Sequence, residues 1–431
     1  MSGKDIKGIG FSGQMHGMVP IAKDGKVLRN AIIWADQRTF KEVDYIKSAL
    51  PLSVFKEKLG NFPNSGFTAP KILWYKKSEP HLYERTYKFL FPKDFLRYKI
   101  TGGMNTEYSD ASASLLFDLT KKDWSHEMLN ILDIDIEKLP SISNSFEVIG
   151  ETSKEFEHLS GIPKKTPVIA GGGDQPCTAI GNLITKKDQA LITVGTGGQL
   201  FFPTESLKID PQLRVHTLLH AIDIYYVLGA IQSAGASLKW WMDNITSEVS
   251  YKDIDNTEDF SKPGANGILF APYLFGERTP YMDDKIRGTF IGISYVNKRE
   301  DFIRSIMEGV SFAIRHAKEI ILKLGITPKK YYLAGGITKN KLWTQILSDI
   351  LNEELYILEG EEKAAYGAAL LALFGIEGKD LDNVKLKMKS IVKPSQKNRI
   401  LYDELFLVYK DIYKSQKELN YRLFSILNKI G

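Results

Sequence analysis

A single cysteine, Cys177, stands in 431 residues. With no second thiol there can be no intramolecular disulfide and no all-cysteine metal centre, and such usage suits a reducing, cytoplasmic setting. Long apolar runs are missing too. The longest, 364–376, is interrupted by glycines and falls short of the roughly 20 residues a membrane-spanning helix needs. No signal peptide is expected ahead of the first strand. Charge of either sign is nearly balanced: 57 Lys and Arg against 52 Asp and Glu, a net +5. No basic stripe alternates with aromatics, so nucleic-acid binding has little support. The lysines that crowd after Lys385 read as a solvated helix face. Short-period repeats and low-complexity tracts are missing. No Walker-type GxxxxGK[ST] occurs, and the P-loop and Rossmann folds are both disfavoured.

What remains is an ordinary globular composition, 43% apolar and 25% charged. A chain this long outgrows one hydrophobic core, so two domains are expected. The charged, turn-rich segment 182–190 places the boundary, giving 1–185 and 186–431. Strands are expected at 6–11, 17–22, 28–36, 165–170, 190–195, 198–202, 225–231 and 331–334. Helices are expected at 233–244, at 301–324, where apolar residues recur every three or four positions, and from about 340, capped near Thr338 or Asn340. Strands alternate with helices, which makes the class α/β.

Three of these strands end in glycine clusters: Gly171–Gly173, Gly195–Gly198 and Gly335–Gly336. Such turns let backbone N–H groups close on an anion, and Thr196 adds a hydroxyl. Each alone can be a structural turn; three in one α/β chain favour a nucleotide site. Asp174 follows the first cluster directly. It can accept a proton from an attacking hydroxyl or simply cap a helix. His16, inside FSGQMHGM, can bond a polar ligand or satisfy a turn. Asp36 and Arg38, beside Trp34, can grip sugar hydroxyls against an apolar wall or form a loop ion pair. The ERTP run (277–280) reads as a turn with a salt bridge, and Trp240–Trp241 as helix packing.

Taken together, SGQMHG (12–17), WADQRT (34–39), AGGGDQ (170–175), VGTGG (194–198), PYLFGERTPY (272–281), RGTFIGIS (287–294) and AGGITKNKLW (334–343) resemble the FGGY carbohydrate kinases. They stand in that family's order across nearly the whole chain, and SGQMHG is similar to the xylulokinases within it. The resemblance implies two actin-like, ribonuclease-H-like ATPase domains with an interdomain cleft. It implies a sugar bound by Gln14, Met15, His16, Trp34, Asp36 and Arg38, with Asp174 as proton acceptor. ATP phosphates would rest on Gly195, Thr196 and Gly197, the adenosine on Gly335, Gly336 and Asn340, with Mg²⁺ bridging the phosphates through protein ligands the resemblance does not identify. The expected product is xylulose 5-phosphate, and homodimers are common in the family.

The chain also departs from the family. The first domain is expected to be N-terminally shortened, without the segment whose DxGT turn grips phosphate and places the metal. On that reading this chain turns over weakly, or is a pseudokinase that binds without turnover. Tyr281 stands where His is common, and Asp174 runs into Gln-Pro-Cys-Thr, which leaves another ketose, gluconate or glycerol open as substrate. A chaperone-like or filament-forming ATPase of the same superfamily is the remaining alternative.

Overall fold

The computed structural model describes residues 2–246, 254 and 261–427. It divides into two compact units that are not consecutive halves of the chain. The first joins Met1–Lys186 to Pro203–Tyr226 and Glu362–Leu386; the second joins Lys187–Phe202, Val227–Glu361 and Lys387–Gly431, within the described residues. The segments 203–226 and 362–386 thus join the first unit although they follow the expected cut between 185 and 186 in sequence. Glycine explains the second return. The helix Lys363–Glu377 lies on the helix Asp174–Gly181 so closely that a Cβ on Gly367 would stand 1.9 Å from the Cys177 carbonyl oxygen. One on Gly181 would stand equally near that of Lys363. Cys177, Ile180, Leu371 and Ala368 are buried between and around them.

In the first unit the chain passes the site early. Residues 6–11, expected as a strand, make one isolated parallel bridge, from Ile9 to Val168. The run 8–13 has the GxGxxG spacing, yet no helix opens after it. Instead Ser12–Gly13 pairs in parallel with Gly172–Gly173, which sets two glycine-bearing strand ends side by side. Val19–Ala22 pairs antiparallel with Thr86–Leu90. The expected strand at 28–36 is reduced to a bridge between Ile32 and Met18. Only Ile32 of that stretch is buried, while Ile33 and Trp34 are exposed, so the segment has no face to pack. A large apolar core around Phe55, Ile72, Tyr75, Leu116 and Phe117 lies beneath this unit.

The second unit is built on a twisted sheet, with strands ordered Tyr225–Ile231, Gly198–Thr204, Gln189–Val194, Lys330–Ala334, Leu355–Leu358 and Met388–Val392. Gln189–Val194 and Gly198–Thr204 form the expected antiparallel hairpin, Leu191 opposite Phe201. Lys330–Ala334 runs parallel to Gln189–Val194, Ile192 opposite Leu333. Both strands thus deliver their glycine turns at the same edge, the carboxyl end where α/β sheets place ligands. The helix Arg299–Leu322 packs on the sheet at Gly229, where a Cβ would meet Ala317 at 3.2 Å. The helix Lys341–Leu351 packs on it in turn, Trp343 Nε1–H donating to the Met307 carbonyl (3.1 Å).

Candidate functional site

In the first unit the paired strand ends bring the QMHG turn to Asp174. Gly173 has no Cβ because Met15 occupies its place: Met15 Cγ would lie 2.7 Å from one. Asp174 opens the helix Asp174–Gly181, so its carboxylate sits at the positive end of a helix dipole. Burial raises its proton affinity above the ordinary carboxylate range, while the N–H groups of Gln175 (3.0 Å) and Met15 pull it partly back. His16 takes a left-handed φ of 68°. Its Nδ1–H donates to the Ala113 carbonyl (2.6 Å) and its ring meets Phe67 edge-on at 5.1 Å. Met15 is buried and Gln14 half-buried in the same turn.

Asp36 and Arg38 form an ion pair of 2.7 Å, and the guanidinium lies over the Trp74 ring at 4.8 Å. Arg38 holds the Asp36 carboxyl below its ordinary range, with a smaller contribution from Lys71. Lys71 anchors the turn at His16 to the segment 66–67. Fully buried, it donates to the carbonyls of His16 (3.0 Å), Phe67 (3.1 Å) and Gly66. Trp34 is exposed.

Sequence reasoning missed a buried polar floor. Ser109 Oγ accepts the Gly173 N–H (2.9 Å) and donates to Glu107 (2.9 Å). Glu107 also accepts from Ser145 Oγ (2.6 Å). Lys93 bonds Asp94, Asp110 and Glu107 at 2.7, 2.9 and 3.2 Å, every one of these side chains excluded from water. Burial and the neighbouring carboxylates push the Asp110 carboxyl up to about 8 against the pull of Lys93. The signal that could have found Lys71 and Lys93 is that each interrupts a run of apolar residues, where a buried charge must be paired.

In the second unit the Gly195–Gly197 turn is held by its own bond, Gly195 N–H to the Gly197 carbonyl (2.9 Å). Three further N–H groups from 234–236 donate to the Gly195 and Thr196 carbonyls. Gly195 and Thr196 are exposed. Gly335 has a φ of 91°, and a Cβ there would strike the Val194 carbonyl oxygen at 2.5 Å. Of the two caps expected for the helix that follows, the structure uses Asn340: its Oδ1 accepts the Trp343 N–H (2.7 Å), while its buried Nδ2 has no hydrogen-bond partner among the described residues. Thr338 instead donates its hydroxyl to the Gly335 carbonyl (2.8 Å). Exposed glycine turns at one end of the sheet, with an unpartnered amide donor on Asn340, suit a polyanion with a polar base attached. Among the described residues no three His, Cys, Asp or Glu side chains gather to cage a metal ion.

Comparison with known proteins matches residues 1–181 to the N-terminal domain of the FGGY family of carbohydrate kinases and 190–376 to its C-terminal domain. A xylulose kinase of Bacillus subtilis (strain 168) is 36% identical over 430 residues, 98% of this chain and 85% of the relative. Among solved structures, a ligand-bound xylulose kinase from Lactobacillus acidophilus superposes with a TM-score of 0.92 at 25% identity, covering 98% of this chain and 87% of that one. A gluconate kinase from the same organism gives 0.90 at 25% identity, covering 96% and 85%.

Proposed function

The chain belongs to the FGGY family of carbohydrate kinases, and from that premise we propose that it phosphorylates D-xylulose to D-xylulose 5-phosphate with ATP. Asp174 is the proton acceptor. The ketose hydroxyl oxygen attacks the terminal phosphorus, the bond from that phosphorus to the bridging oxygen breaks, ADP leaves, and the hydroxyl proton passes to Asp174. Mg²⁺, entering with ATP, would supply neutralisation of the phosphate charge.

The observation that carries this reading is the carboxyl of Asp174, half-buried, desolvated toward proton uptake, and bonded to the backbone of the QMHG turn. A carboxyl whose affinity for a proton is raised by desolvation is a better base for a hydroxyl than a fully solvated one. Met15, His16 and Gln14 then border the hydroxyl that reacts. Asp36 and Arg38, with Trp34, are assigned the remaining hydroxyls. Gly195, Thr196 and Gly197 are assigned the ATP phosphates, and Gly335, Gly336 and Asn340 the adenosine. The setting is the cytoplasm, where ATP is at hand and the buried Cys177 stays a thiol.

The pseudokinase alternative finds no support: the relatives are kinases by name, and Asp174 is in place at its strand end. The substrate is tested by comparing kcat/KM across D-xylulose, D-ribulose, D-fructose, D-gluconate and glycerol with Mg-ATP. D-xylulose is expected to lead by about tenfold or more, as sites built to bond hydroxyls reject analogues that leave them unpaired. Gluconate in the lead would transfer the assignment to the acid sugar.

A further inference from the structure

The ERTP run does more than turn the chain. It clamps the strand Tyr225–Ile231 where that strand leads into the Gly195–Gly197 turn's mould. Thr279 holds Ala230 from both sides: its N–H donates to the Ala230 carbonyl (3.0 Å), and its hydroxyl accepts the Ala230 N–H (3.0 Å). Glu277 holds the chain two residues further on, at Gln232. One carboxyl oxygen, Oε1, accepts the N–H of Gln232 (2.9 Å) and that of Arg278 (2.8 Å).

Beyond Gln232 the backbone turns onto the glycine loop. Ala234 and Ala236 N–H donate to the Thr196 carbonyl, each at 3.0 Å, and Gly235 N–H to the Gly195 carbonyl at 2.8 Å. A Cβ on Gly197 would stand 2.9 Å from the Ile231 carbonyl oxygen, and one on Gly235 2.4 Å from that of Gly195. Residues 231–236 therefore shape the turn by direct contact, and Glu277 fixes where they begin. Its side chain is 1% exposed, and its second oxygen has no hydrogen-bond partner among the described residues. A buried carboxyl with an orphaned oxygen destabilises a fold. If it only filled space, an apolar side chain of the same size would serve better.

We propose that Glu277 is a positioning residue for the nucleotide-phosphate turn, acting through the Gln232 amide. This rests on the reading that Gly195–Gly197 holds ATP phosphates. The test is calorimetric titration of the full chain with Mg-ADP, and separately with D-xylulose, for wild type, Glu277→Gln, Glu277→Met and Gly197→Ala. Met keeps the volume and removes the acceptor; Gln keeps an acceptor oxygen. Glu277→Met is expected to bind Mg-ADP about tenfold more weakly, because the Gln232 N–H loses its acceptor, with D-xylulose affinity unchanged. Glu277→Gln should bind as wild type does, and Gly197→Ala should be at least as weak as the Met variant.

Mg-ADP binding by Glu277→Met as tight as wild type, with Gly197→Ala weakened, overturns the proposal and leaves the turn's assignment standing. Equal losses in the Gln and Met variants overturn it too, since the acceptor would then be irrelevant. Unchanged binding in Gly197→Ala overturns both the proposal and the reading beneath it. Should the Met variant fail to fold, Glu277→Asp decides: its shorter carboxyl cannot span to Gln232, and wild-type affinity there contradicts the proposal.

Discussion

Burial raises the proton affinity of two carboxyls, Glu277 and Asp174, and each leaves a separate mark. Burial pushes Glu277 from its ordinary 4.5 up to about 8, with the Gln232 and Arg278 amides and the Arg278 charge opposing it. The unfolded chain gives up this proton near 4.5 and the folded chain only near 8. Between those values the folded state holds the extra proton, so stability falls as pH rises, by about 1.4 kcal/mol per pH unit, and levels off above. Thermal unfolding of Glu277→Gln is expected to lack that part of the slope between pH 5 and 8. Tyr273, Tyr281 and Tyr409 also feel this carboxyl, but they ionise only at higher pH. Parallel curves for the two proteins across that window would remove the buried, protonated Glu277 from the account. At this scale residue types were legible and partners were not. Asp174 and His16 stood out because their neighbours in sequence are glycines. Ser109 and Lys71 did not, because Ser109 bonds Gly173 across 64 residues and Lys71 bonds His16 across 55.

Between elements, close approach of backbones decides the packing. The contact of Lys363–Glu377 with Asp174–Gly181 has no room for a side chain at Gly367, since the atoms a Cβ would meet are backbone atoms that cannot step aside. Gly367→Ala is expected to destabilise the protein by about 1–3 kcal/mol or more, measured by urea unfolding, although alanine normally favours a helix interior. A neutral or stabilising result would show that these helices can slide apart at no cost. Helix and strand types were readable where periodicity ran long, as in Arg299–Leu322, and where a cap marked a start, as at Asn340. They were misread at 6–11 and 28–36. Those segments are apolar enough for strands but make only single bridges, and a strand needs a partner that its own residues cannot reveal.

Across the whole molecule the class and the motif order were legible, because glycine turns at strand ends carry their own geometry. The return of 203–226 and 362–386 to the first compact unit was not, since nothing local in those segments records which core will receive them. No helix among the described residues is long and apolar enough to cross a membrane. The sugar kinase reading stands or falls with Asp174. The deciding measurement is ADP release from Mg-ATP by wild type and Asp174→Asn, with and without D-xylulose. Wild type is expected to release ADP in a xylulose-dependent manner, and Asp174→Asn about 10²–10⁴-fold more slowly, the usual contribution of a general base, with KM for ATP little changed. Equal rates in the two proteins, or no sugar-dependent release from folded wild type, would contradict the account.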